Sequence, residues 1–184
     1  FLMKYNLQNK FIIMFSGNMG RGSGLESIIK VAEKFRHDED VLFLFVGDGW
    51  MVPDLKKQVA REKLTNCLFL PYQEASILNH SLSASDLAVV TLPPAMSQSS
   101  IPNKTYTLIA LGKPLLCISD PGSDLSCLVD HYGIGKSYTK EETGEMYEFI
   151  CKVKANPDYA SELSQKAIQC SGTFTSRNAE KICV

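Results

Sequence analysis

Lys10-Phe-Ile-Ile-Met-Phe-Ser-Gly17, followed after a glycine-rich turn by Leu25-Glu-Ser-Ile-Ile-Lys-Val-Ala-Glu-Lys-Phe35, reads as a strand and then a helix. The first stretch is a continuous apolar run stopped by glycine, the pattern of a strand covered on both faces. The second places apolar side chains at 25, 28, 29, 32 and 35, the stripe of a helix with one buried side. The unit then recurs. Residues 41–46 are a second apolar run that breaks at Gly47-Asp48-Gly49, and Leu55, Val59 and Leu64 mark a more polar helix after it. Three more strands fall at 66–70, 87–92 and 115–119, with helices over 74–83 and 103–111 between them. Such βα repeats with short connections build an α/β, Rossmann-like, doubly wound parallel sheet. Residues 123–129 predict a helix, 134–137 a short final strand, and the remainder from 143 a helical C-terminal tail. No linker interrupts the pattern, so residues 1–184 read as one domain.

Composition narrows the function. An apolar content of 45% and a charged content of 21% are those of an ordinary globular protein. The 19 basic and 20 acidic side chains nearly cancel, which supplies no broad attraction for nucleic acid. The six cysteines, at 67, 117, 127, 151, 170 and 183, never approach a zinc-ligand spacing, and two fall inside strand patterns. Cysteines used as small hydrophobes predict a reducing, cytoplasmic setting. No metal site is expected. His37, His80 and His131 are scattered and read as surface residues. The chain opens without an initiator methionine, which predicts a piece of a longer protein.

The chemistry gathers at two loops. Ile101-Pro-Asn-Lys-Thr-Tyr-Thr-Leu-Ile-Ala-Leu-Gly-Lys-Pro114 starts a helix beside a serine-rich loop, with Pro102 in the first turn and Gly112 at the C-terminal cap. Because a strand precedes it, this helix start lies at the carboxyl edge of the sheet, where open α/β folds bind ligands. Ser99, Ser100, Ile101 and Asn103 are candidates to hold a pyrophosphate there. Lys104 is the candidate cation, since a lysine opposing the positive end of a helix dipole calls for a compensating anion. The second loop, Gly17-Asn18-Met-Gly20-Arg21-Gly22-Ser-Gly24, joins the first strand to the first helix and lets backbone approach a diphosphate, with Arg21 adding charge-assisted bonds. It lacks P-loop order, and it fits a dinucleotide fingerprint only with shifted glycines. Asp48 reads as a turn residue; Trp50 is a candidate to line a pocket, although a lone tryptophan more often packs on a neighbouring helix.

Taken in order, Phe15-Ser-Gly-Asn-Met-Gly-Arg21, Gly24-Leu-Glu-Ser-Ile-Ile29, Phe43-Leu-Phe-Val-Gly-Asp-Gly49, Asn66-Cys-Leu-Phe-Leu-Pro71, Ala84-Ser-Asp-Leu87, Pro102-Asn-Lys-Thr-Tyr106 and Ala110-Leu-Gly-Lys-Pro114 resemble the group 1 glycosyltransferases, retaining enzymes of the GT-B architecture. The resemblance runs from about Phe11 to Gly135 and implies the C-terminal, nucleotide-sugar-binding half, with the acceptor-binding half preceding Phe1. It implies a nucleotide-sugar donor, a UDP-linked one by likeness to surface-polysaccharide transferases, used without a metal or other cofactor. A polysaccharide or glycolipid acceptor, and a peripheral membrane contact through the preceding half, follow from the same likeness. The diphosphate would lie between Gly17, Asn18, Gly20 and the helix start, with Lys104 and Arg21 neutralising it and Pro71 and Tyr72 against the base.

The family's paired glutamates of the E-x7-E motif fall on Ser99 and Thr107, hydroxyls where carboxylates belong. That keeps a non-catalytic nucleotide-sugar-binding module or regulator in view. An NAD-dependent oxidoreductase domain, with Asp48 on the ribose, is the other alternative.

Overall fold

The computed structural model describes residues 1–94 and 101–174. Six strands, β1 (Phe11–Asn18), β2 (Val41–Asp48), β3 (Cys67–Leu70), β4 (Leu87–Thr91), β5 (Leu115–Ile118) and β6 (Gly135–Tyr138), form one parallel sheet in the order β3-β2-β1-β4-β5-β6. The helices are α1 (Leu25–Lys34), α2 (Val52–Arg61), α3 (Leu78–Ser83, entered through a 3₁₀ turn at Ala75–Ile77), α4 (Asn103–Ala110), α5 (Asp124–Tyr132), α6 (Thr143–Ala155) and α7 (Pro157–Ser171). The chain winds from β1 outward to β3, then returns to lay β4 on the other side of β1. That reversal leaves a crevice outside the carboxyl ends of β1 and β4.

Burial on both faces explains why the strands read as unbroken apolar runs. Ile13, Phe15, Phe43, Phe45 and Val89 enter the core built with α1 and α6. The alternating positions Ile12, Met14, Leu42, Leu44 and Val46 point the other way, where Leu7 is buried and Phe1, Leu2 and Tyr5 pack. Further along the same side, Val90, Leu115 and Cys117 meet Leu108 and Ile109 of α4 and Leu125 of α5. α7 closes this side by packing on α4. Cys67 and Cys117 are core-facing strand residues, and burial pushes the Cys67 thiol up to about 12.

Two details set the edge. The carboxylate of Asp86, just before β4, accepts the Ile12 amide at 2.7 Å, and Lys113 donates to the carbonyls of Ser83 and Ser85 at 2.7 and 2.8 Å. These bonds tie the entry of β4 to the start of β1 and to the end of α4. α4 itself ends as its sequence requires. Gly112 takes φ 65°, its amide bonds the Ile109 carbonyl, and the Lys113 amide bonds that of Leu108, a Schellman closure. Its start differs from expectation. Pro102 has ψ 128° and precedes the first turn as the cap residue, its carbonyl accepting the Thr105 amide at 2.8 Å. Proline's fixed φ suits both extended and helical backbone, and here the chain leaving the loop takes the extended option.

Candidate functional site

The carboxyl edge is assembled by close approach of backbone. Gly17 stands opposite Gly47, and Asn18 opposite Asp48, at the ends of β1 and β2. A Cβ on Gly47 would sit 2.0 Å from the Gly17 carbonyl oxygen, and one on Gly49 2.5 Å from that of Met19, so these positions need glycine. The Met19 amide bonds the Asp48 carbonyl at 2.8 Å, and the Met51 amide returns to the Met19 carbonyl at 3.0 Å. The first glycine loop and the β2–α2 loop are thereby stitched together. Asp48 accepts its neighbouring Gly49 amide at 2.8 Å, the turn role its sequence suggested.

Two adjoining hollows occupy this edge, with Asn18 and Thr91 common to both. The smaller, of about 260 Å³, runs between Ser16, Gly17 and Asn18 and the start of α4 at Pro102, Asn103 and Lys104. The larger, of about 560 Å³, is bounded by Gly20, Arg21, Ser23 and Trp50. Neither α1, starting on Gly24 in the left-handed conformation, nor α4 has a side chain capping its first turn. α4 leaves main-chain donors and a positive dipole end at the smaller hollow, while the start of α1 borders a separate hollow with Lys140 and Glu141.

Lys104 is the central charge. Its ammonium donates to the Ser16 carbonyl, lies 3.4 Å from the Ser16 hydroxyl, and forms no ion pair among the described residues. Burial without a counter-charge pulls its pKa from 10.5 down to about 8. A cation held this way beside a helix start has room for an anion and a reason to bind one. Arg21 stands on the far side of Asn18, its guanidinium 5.6 Å from the centre of the Trp50 ring.

The remaining candidates divide. Pro71 and Tyr72, both exposed, border a separate hollow of about 420 Å³ with Asp48 and Lys56, one strand further along the edge. Ile101 packs toward the core shared by α4 and α5. Thr107 lies one turn into α4, half-buried, and lines neither of the two hollows. Ser99 and Ser100 fall outside the described residues. His37, His80 and His131 are exposed.

One expectation is corrected. Trp50 is 81% exposed and borders the larger hollow instead of packing on a helix. Its loop is held down by the backbone bonds of Met51 and Met19, so the indole is not needed to fill space beneath it. Ser23, which with Asn18 stands where the resemblance places the family's first-loop lysine and arginine, is 5% exposed, and its hydroxyl has no hydrogen-bond partner among the described residues. No cluster of three or more metal-ligating side chains occurs among the described residues, and none of their helices is long and apolar enough to cross a membrane.

The reversed strand order, the paired glycines and the unpaired lysine at a helix start define a Rossmann-type α/β domain with an anion-receptive edge. The profile of the family described as "Glycosyl transferases group 1" matches residues 10–153. The chain belongs to that family. "Probable glycosyltransferase WbjE" of Pseudomonas aeruginosa is 31% identical over 128 residues, covering 70% of this chain and 32% of that protein. WcaI of Escherichia coli (strain K12), by name a colanic acid biosynthesis glycosyl transferase, is 30% identical over 124 residues, 67% of this chain and 30% of its own length. The chain thus spans about a third of the curated relatives it matches. Among solved structures, that of Anabaena Alr3699/HepE in complex with UDP superposes with a TM-score of 0.82 at 17% identity, over 99% of this chain and 51% of that one. The fold is the C-terminal half of the GT-B architecture, with a helical tail.

Proposed function

We propose that this chain is the donor-binding half of a retaining glycosyltransferase, one that moves a sugar from a nucleoside diphosphate carrier to a polysaccharide or glycolipid acceptor held by a preceding half. The observation that carries this is Lys104: a partly buried ammonium, without an acidic partner among the described residues, set between the end of β1 and the uncapped start of α4. The diphosphate lies along the Gly17–Gly20 loop. Lys104 faces one end and Arg21 the other, and these cations, not a metal ion, offset the charge that grows as the sugar–oxygen bond breaks. The base rests beside Pro71 and Tyr72. Membership of the family and the UDP bound to the Anabaena relative support uridine as the nucleoside.

The test is the affinity of the chain for UDP, set against Lys104→Ala and Arg21→Ala. Charge-assisted bonds of this kind are worth about 1.5–3 kcal/mol, so Lys104→Ala weakens binding by about tenfold or more. Unchanged affinity in that variant removes Lys104 from the site.

A second reading rests on Thr107, where the family's E-x7-E motif carries a carboxylate. A hydroxyl there, with Ser99 at the motif's other position, fits a module that binds a nucleotide sugar and regulates an active partner. Transfer activity of the chain joined to its acceptor half separates the two.

A further inference from the structure

The larger hollow shares Asn18, Gly20 and Arg21 with the diphosphate position, and beyond them it carries Trp50, Ser23 and Thr91, which that position leaves unused. Trp50 presents an indole that is 81% exposed, the most exposed large hydrophobic side chain among the described residues. Solvent does not favour such a surface, and no helix among the described residues covers it. The Arg21 guanidinium lies over the ring and restrains its tilt. The loop beneath is anchored by the Met51–Met19 bond, which gives the ring a fixed base. Around it stand Asn18, Thr91 and Ser23. The Ser23 hydroxyl is buried and has no protein partner among the described residues, which costs stability unless something else bonds it.

One aromatic face ringed by hydroxyl and amide groups suits a particular kind of molecule. A nucleobase is flat and apolar on both faces and asks for two walls. A pyranose has one patch of C–H groups and a rim of hydroxyls, and asks for one aromatic wall with polar groups around it. We infer that Trp50, with Asn18, Ser23 and Thr91, forms a pyranose-binding platform next to the diphosphate. The inference rests on the donor-half reading for its neighbour, and the sugar comes either from the donor or from the acceptor.

Because the chain has a single tryptophan, its fluorescence reports this position alone. UDP, UDP-glucose and UDP-N-acetylglucosamine are titrated calorimetrically into the chain, Trp50→Phe and Trp50→Ala. Methyl glucoside and N-acetylglucosamine are titrated by fluorescence with and without saturating UDP. A donor sugar on the platform makes at least one UDP-sugar bind about two- to tenfold tighter than UDP, a margin lost in Trp50→Ala and largely kept in Trp50→Phe. An acceptor sugar leaves that margin alone, and free saccharide shifts the Trp50 emission. A margin indifferent to Trp50→Ala, together with no emission change from any saccharide, overturns the platform. Failure to bind UDP refutes the donor-half reading instead, and the saccharide titrations without UDP still decide the platform.

Discussion

Lys104 sets the pH behaviour of the site. Its folded pKa, about 8, lies below the ordinary 10.5, so between those values the unfolded chain holds a proton that the folded chain has lost. The cost of burying the charge is fully present below about pH 8 and is relieved as pH rises toward 10.5, so this group makes the fold more stable with rising pH across that window. Lys104→Met removes the cost and, after allowance for the lost bond to Ser16 and for partial solvent screening, stabilises the chain by about 1 kcal/mol at pH 7 in urea unfolding. Ligand binding has its own signature. A diphosphate beside the amine raises its pKa, so binding at pH 8 takes up a proton and weakens above that pH. Titrations in buffers of different ionisation enthalpy measure the uptake, and Lys104→Met abolishes it. Thr107→Glu puts a carboxylate where the resemblance places the glutamate that holds the donor ribose, and the expected result is tighter UDP binding with little change for the 2′,3′-dideoxy analogue.

The strand ends bear the largest mechanical demands. Gly47→Ala drives a methyl group into the Gly17 carbonyl at a backbone angle of φ 135°, and about 3 kcal/mol of stability is lost along with the loop geometry that UDP needs. Thermal unfolding and UDP affinity both read this. Asp86→Ala leaves the Ile12 amide without its acceptor and costs about 1–3 kcal/mol, with UDP affinity far less affected because Asp86 sits at the opposite end of the sheet from the crevice.

The same elements show what was legible in sequence. The apolar runs of β1 and β2 announced strands buried on both faces, and Gly112 before Pro114 announced the end of α4. Local signals of that kind survive folding because they record burial and backbone conformation directly. Pro102 was off by one position because proline's φ fits either side of a helix start. Trp50 was weighted toward packing over its pocket alternative because its exposure depends on a bond between two loops about thirty residues apart in sequence, which no local pattern records.

At the scale of the whole molecule, the proposed reading makes this chain one side of a cleft. Its curated relatives are a little over twice as long, and on the proposed donor-half reading the site closes against a second half, so UDP binding by the chain alone is expected to be weak. The most direct measurement is calorimetric titration of the chain with UDP, GDP and NAD in parallel, repeated with Lys104→Ala. The account predicts that UDP binds in preference to GDP and NAD, and that Lys104→Ala weakens it about tenfold or more. Binding of NAD in preference to both diphosphates, or UDP binding indifferent to Lys104→Ala, would contradict it.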